Sequence, residues 1–176
     1  RILAQDVVSP LDVPAHDNSA MDGYALSGVE LNNAQGELAL PCLVSAKAGQ
    51  PFAGAVLPGH CIAITTGAVM PAGADTVVPL ECSRREGDRV WLRTASIRQG
   101  DNRRLRGEDL KRGQVALHKG TRLGPAALGL LASMGIAHVA VHKRLRVAYL
   151  STGSEILSLG EAPRAGGIYD SNRYTV

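Results

Sequence analysis

Asp17-Asn18-Ser19-Ala20-Met21-Asp22-Gly23-Tyr24-Ala25 crowds two carboxylates, an amide and a hydroxyl around one candidate tight turn. A loop of this composition offers acceptors, donors and a flexible glycine within reach of a single ligand. The same residue types are also the default turn formers. Composition therefore leaves a polar site and an ordinary turn both open, and the rest of the chain must decide. Upstream, Ile2 to Val8 reads as a short strand that Ser9-Pro10 ends. Downstream, the apolar runs Leu38–Ala46, Cys61–Thr66, Thr76–Leu80 and Val90–Thr94 are each bounded by Gly, Pro or Asp. Short strands at that spacing predict a compact, mostly β, barrel-like unit.

The character changes after the polar, basic stretch Gln99 to Arg112. Gln114–Leu117 reads as a further strand. Pro125 to Met134 reads as a helix, with Pro in its first turn and Gly135 just past its end. Ala127, Leu128, Leu131 and Met134 share one face of it, a spacing that predicts core. His138–His142 alternates as a strand does. Arg146 to Leu150 contains a near-continuous apolar run leading into Ser151-Thr152-Gly153-Ser154-Glu155, the way an α/β domain opens. The expected fold class is thus mixed α+β and β-rich, followed by the first strand and turn of an incomplete α/β domain.

The 176 residues suffice for one domain or two small ones. Aromatic side chains are few: Phe52, Trp91 and four tyrosines. That scarcity excludes a stacking platform for single-stranded nucleic acid. A formal charge of +3 is too small to indicate a duplex-binding surface. Cys42, Cys61 and Cys82 are odd in number and widely spaced, a poor disulfide framework that points to a reducing compartment and so to the cytoplasm. No apolar run reaches the length of a membrane span.

Several short segments are candidate sites, each with a plain structural alternative. Ser151-Thr152-Gly153 can offer backbone N–H groups to an anion, or form a capped turn. It has neither Walker nor GxGxxG spacing. Thr65-Thr66-Gly67 places two hydroxyls at a strand end, where threonine is also at home. Arg103-Arg104-Leu105-Arg106-Gly107-Glu108-Asp109 mixes guanidinium forks suited to oxyanions with carboxylates that can answer them as a salt-bridged loop. Glu155 is a candidate metal-bound or base carboxylate, or a helix-start acid. The histidines show no metal-ligand spacing.

Taken together, Asp17–Ala25, Thr66-Gly67, Arg106–Asp109, Ser151-Thr152-Gly153 and Ile168-Tyr169-Asp170-Ser171-Asn172-Arg173 occur in the order seen in the molybdopterin molybdenumtransferases. The chain resembles this MoeA/gephyrin family over essentially its whole length. The resemblance implies an elongated homodimer of four-part subunits, with residues 1–15 and 110–143 in a discontinuous linker domain. Residues 16–109 would be an inserted β-barrel-like domain, and 144–176 the start of the α/β domain that binds the pterin. It implies Mg²⁺-dependent insertion of molybdate into adenylylated molybdopterin, with AMP released. Asp22, Thr66, Asp109 and Glu155 match positions linked to activity, and Glu155 would hold Mg²⁺. Ser19, Gly67, Arg104, Thr152, Gly153, Asp170, Ser171 and Asn172 would contact or frame the substrate. Asp22 and Thr66 would close the cleft from the partner subunit. Ser154 departs from the family's Ser-Thr-Gly-Asp-Glu turn. The rest of the pterin pocket would lie beyond Val176, so the chain by itself is expected to be inactive. The other reading in the same family is a non-catalytic scaffold or dimerisation module.

Overall fold

In the computed structural model, which describes residues 1–34, 36–42 and 44–176, the chain divides into two compact units, Ile2–Val141 and Arg1 with His142–Val176. The strands of the first unit are β1 (Val7–Val8), β2 (Asn18–Ser19), β3 (Gly23–Leu26), β4 (Glu37–Pro41), β5 (Ser45–Ala46), β6 (Ile62–Ile64), β7 (Thr76–Pro79), β8 (Ser83–Glu86), β9 (Arg89–Arg93), β10 (Arg103–Arg104) and β11 (Val115–Leu117). Helix α1 spans Pro125–Ser133. The expected run Leu38–Ala46 divides into β4 and β5, and its Leu43 lies outside the described residues.

Four strands pair in the order β5-β6-β3-β7 and three in the order β4-β9-β8. Strand β3 is buried along its whole length because both of its faces are covered. Tyr24 and Leu26 point into a cluster shared with Leu40, Val90 and Leu92 of the three-stranded sheet. Ala25, between them, faces the other way, onto Ile62, Ile64 and Val77. Alternation in a doubly covered strand puts small and large apolar residues on opposite faces, so no polar position marks it in the sequence. The second half of the opening stretch is accordingly a central strand and not a loop.

Among the described residues these strands do not close into a barrel. The free edge of β7 is instead covered by a loop: Val77 donates its N–H to the Asp101 carbonyl at 3.0 Å, and the Asn102 amide donates to the Val77 carbonyl at 2.9 Å. That loop is held by Asp75, which accepts hydrogen bonds from Gly28 N–H (2.6 Å), the Thr76 hydroxyl (2.8 Å) and the Gln99 amide (2.6 Å). Burial pushes the Asp75 carboxyl up, but the bonds from Gln99, Gly28 and Thr76 outweigh it and hold the pKa below the ordinary value. A depressed carboxylate stabilises the fold above its unfolded pKa, about 3.9, and loses that contribution as pH falls through its folded value. Acid titration of wild type against Asp75→Asn tests this. The wild type should lose stability below about pH 4 more steeply than the variant, and parallel curves would refute it.

A third apolar cluster joins the N-terminal segment to the helical one. It gathers Leu3, Val7, Leu110, Leu131 and Met134. Helix α1 starts at Pro125 and ends in a Schellman motif: Gly135, at φ +69°, donates to Ala132 O and Ile136 N–H donates to Leu131 O. Its inward stripe is Ala127, Leu130, Leu131 and Met134; Leu128, expected in the core, is 55% exposed. The stripe at i, i+3, i+4, i+7 satisfies helical periodicity without Leu128, which sits one position off it. The expected His138–His142 strand is reduced to a single bridge between Leu3 and Val141.

The second unit carries the parallel pair β12 (Ile156–Leu157) and β13 (Ile168–Tyr169) and the short helix α2 (Asn172–Thr175). The strand expected over Arg146–Leu150 does not form; Val147 is 74% and Leu150 82% exposed. An apolar parallel strand is stabilised by neighbours on both edges and cover on both faces, and among the described residues nothing pairs with this run. No helix of the described residues is long and apolar enough to cross a membrane.

Candidate functional site

The first unit sets three of the singled-out segments side by side. β2 is the middle one. On one flank, Gly67 N–H donates to Ser19 O (2.8 Å), Ser19 N–H to Ala68 O (3.0 Å) and Met70 N–H to Asp17 O (2.9 Å). On the other flank, Asn18 and Ser19 pair with Arg104 and Arg103 of β10. The Asp-Asn-Ser, Thr-Gly and Arg-Arg segments, remote in sequence, thus share one surface of this unit.

Between β2 and β3 the chain turns through Ala20–Asp22. Ser19 is buried, and its hydroxyl closes the turn by donating to Met21 O at 2.5 Å. Asp22 follows at the rim and meets Thr66 directly: one carboxylate oxygen, Oδ1, accepts from Thr66 N–H at 2.6 Å and from the Thr66 hydroxyl at 2.8 Å. The Thr66 amide first, and its hydroxyl second, hold the Asp22 carboxyl below the ordinary range against the opposing effect of desolvation. Asp22 is therefore ionised at neutral pH. Thr66 is presented by a tight turn closed by Ala68 N–H to Thr65 O at 3.0 Å, in which Gly67 takes φ +79°. That left-handed position favours glycine.

Arg104 reaches two carboxylates, Glu108 Oε1 through Nε at 2.5 Å and Asp109 Oδ2 through a terminal nitrogen at 2.6 Å. The two carboxylates raise the Arg104 pKa, Asp109 more than Glu108. Glu108 also accepts from Leu105 N–H at 2.7 Å, and that amide, followed by Arg104, lowers its pKa. The guanidinium fork is thus already answered. These pairs are partly exposed, where solvent screening leaves ion pairs weak, so an incoming oxyanion can displace one at little cost. Two further carboxylates, Asp17 and Asp12, hold this loop. Asp17 Oδ1 accepts from Arg106 N–H at 2.8 Å, and its Oδ2 lies 3.8 Å from Arg103. Asp12 takes the Arg106 guanidinium at 2.6 Å and Arg112 N–H at 2.8 Å. Asp17 lies in the opening stretch and Asp12 upstream of it, and only the high density of arginine after residue 102 hints at their partners.

In the second unit, Thr152, Gly153 and Glu155 are exposed. Gly153 adopts φ +151°, and a β-carbon there would come within 2.4 Å of Glu155 Oε1, so the carboxylate folds back over the glycine. Ile168 N–H donates to Glu155 O at 2.8 Å, fixing the turn against β13. Asp170 stands at the end of β13 and accepts from the Tyr149 hydroxyl at 3.1 Å and Arg173 N–H at 3.2 Å. The Ser151 hydroxyl is the main cause of its lowered pKa. Ser171 precedes α2 and Asn172 opens it. Ser151, Asp170, Arg173 and Tyr174 border a small polar hollow of this unit. The structure thereby brings the Ser-Thr-Gly turn to the Asp-Ser-Asn segment, with Tyr149 as a member the sequence did not single out. Among the described residues no three His, Cys, Asp or Glu side chains gather as a metal cage.

Comparison with known proteins gives this arrangement a context. A family model described as the MoeA N-terminal region (domain I and II) matches residues 1–135. The molybdopterin molybdenumtransferase of Haemophilus influenzae is 42% identical over 176 residues, all of this chain and 43% of that protein. Molybdopterin molybdenumtransferase 2 of Mycobacterium tuberculosis is 40% identical over 173 residues, 97% of this chain and 42% of that protein. A crystal structure of the molybdopterin biosynthesis MoeA protein from Pyrococcus horikoshii OT3 superposes with a TM-score of 0.89 at 34% identity, over 99% of this chain and 47% of that one. The chain spans less than half the length of these relatives. With a family match over most of its residues and relatives at 40–42% identity over all or nearly all of its length, the chain belongs to the MoeA family.

Proposed function

We propose that the full-length protein acts in molybdenum cofactor biosynthesis, inserting molybdenum from molybdate into adenylylated molybdopterin with release of AMP. The observation that carries this reading is the ionised Asp22, locked by Thr66 in the unit whose β2 also pairs with the strand carrying Arg104. An exposed, rigidly held carboxylate and an exchangeable guanidinium in one unit suit a substrate that brings both a phosphoanhydride and an oxyanion. In this reading Arg104 exchanges Asp109 for the anion, while Asp22 and Thr66 orient the reacting groups. Thr152, Gly153, Asp170, Ser171 and Asn172 frame the pterin, and Ser19 and Gly67 shape the turns that present their neighbours.

Glu155 fits Mg²⁺ by the chemistry of its donor set. A lone exposed carboxylate suits a hard cation that keeps waters and binds substrate phosphates, whereas it cannot by itself make a protein cage. When bound there, Mg²⁺ supplies neutralisation of phosphoanhydride charge. Residues 1–15 with 110–143 form the linker domain in this proposal, 16–109 the inserted β-rich domain and 144–176 the start of the pterin domain. The full-length protein is a cytoplasmic homodimer. The test is molybdate-dependent AMP release from adenylylated molybdopterin by the full-length protein. Absence of AMP release in the presence of Mg²⁺ would remove the catalytic reading and leave the scaffold.

A further inference from the structure

Cys42 and Cys61, nineteen positions apart in a sequence with no paired-cysteine motif, meet in the core. Both are buried and belong to the cluster between the two main sheets. Cys42 directly follows β4, and Cys61 directly precedes β6. Cys61 N–H donates to Pro41 O at 3.1 Å, so the backbone of one cysteine is bonded to the residue preceding the other. The Cys61 thiol lies 3.7 Å from the same Pro41 carbonyl, and the Cys42 thiol 3.8 Å from Val44 O. These are long contacts that leave both thiols weakly held within the one buried cluster they share. The Cys61 thiol holds Cys42 below the ordinary thiol pKa against its burial, and Cys42 in turn pushes Cys61 up. Arg85 adds a positive charge, donating to Cys42 O at 3.1 Å.

The pair is not sealed. Cys61 lines an apolar pocket with Val44, Phe52, Leu57 and His60, and Leu57 and Val44 at its rim are 62% and 46% exposed. A small neutral oxidant can enter such a pocket, which a charged reagent would avoid.

We propose that Cys42 and Cys61 are an oxidation site, closing to an intramolecular disulfide when hydrogen peroxide enters this pocket. The thiolate of the pair attacks one peroxide oxygen and the O–O bond breaks. The leaving hydroxide takes a proton as water, and the attacked sulfur becomes a sulfenic acid. The second thiol then displaces that hydroxyl, which leaves as a second water with the thiol proton. Two sulfurs are oxidised, and one peroxide is reduced to two waters. The new bond ties the end of β4 to the start of β6, one strand from each main sheet, and β6 runs on into the turn that holds Thr66.

The test exposes the full chain to hydrogen peroxide, blocks free thiols and maps peptides without reduction. The expected result is an intact mass lower by two hydrogens, a peptide linking residues 42 and 61, and full reversal by dithiothreitol. Cys82 packs against the same cluster and is the rival partner. The 42–61 link should persist in Cys82→Ser, and the oxidised wild type should melt higher than the reduced one. Cys42→Ser and Cys61→Ser should lose the link, but the wild-type map and Cys82→Ser decide the matter even if those variants fold poorly. A link through Cys82, sulfinic acid without a link, or alkylation of both core thiols after peroxide would each overturn the proposal.

Discussion

Asp22→Asn in the full-length protein is expected to lower molybdate-dependent AMP release by about tenfold to a hundredfold, the range for a group that orients others in such a site, while leaving the fold intact. Asparagine keeps an oxygen that can accept from Thr66 N–H and the Thr66 hydroxyl, the two bonds Asp22 makes at 2.6 and 2.8 Å. What it removes is the charge. A shape role for Asp22 would therefore survive the substitution, and an electrostatic one would not. Thr66→Val separates the two further. It deletes the hydroxyl bond but keeps the amide, which is the larger cause of the depressed Asp22 pKa. Removing one stabiliser of a carboxylate raises its pKa, so the acid limb of the pH–rate profile should move to higher pH in Thr66→Val and only part of the way to the ordinary value. The double variant should be less than the product of the singles, because the residues act through one contact. Undiminished AMP release in Asp22→Asn, or an acid limb in Thr66→Val coincident with wild type, would sink the assignment.

That contact was half legible in the sequence. Asp22 stands out in the polar Asp17–Ala25 stretch and Thr66 at the end of the Cys61–Thr66 run, but the two are 44 positions apart and no spacing rule connects them. The runs that became β6, β7 and β9 were readable because Gly, Pro and Asp bracket them. β8 was not, since Arg84, Arg85 and Glu86 face solvent on an edge strand and leave no apolar alternation. Its place is set by pairing: Glu86 opposes Arg89 across a two-residue turn in which Gly87 takes φ +63°. The Arg146–Leu150 run failed for the converse reason, because its composition describes a buried strand and among the described residues nothing pairs with it or covers it. Cys42 and Cys61 were invisible as a pair, since their meeting depends on how β4 and β6 are brought together across two sheets.

Gly23→Ala is expected to be the most damaging small substitution in the chain, costing about 3 kcal/mol or more as overpacking against an immovable neighbour. Gly23 carries no positive φ, so conformational freedom is not its purpose. It lies in the central strand β3, opposite Pro79 of β7 and Ile64 of β6. A β-carbon there would stand 2.1 Å from the Val78 carbonyl oxygen and 3.0 Å from Pro79 Cα. Both are backbone, and neither can rotate away. Relief requires β3 and β7 to separate, which breaks ladder hydrogen bonds and opens the apolar layers that Tyr24 and Val78 share. It also displaces Asp22, the preceding residue, whose carbonyl accepts Leu80 N–H at 3.0 Å. Gly67→Ala is the control: φ is +79° but nothing lies within 4 Å, so the cost is backbone strain alone, about 1–2 kcal/mol. Urea unfolding of both variants should rank Gly23→Ala well below Gly67→Ala. The reverse order would mean that β3 and β7 part without penalty, and that the close approach at Gly23 does not fix the position of Asp22.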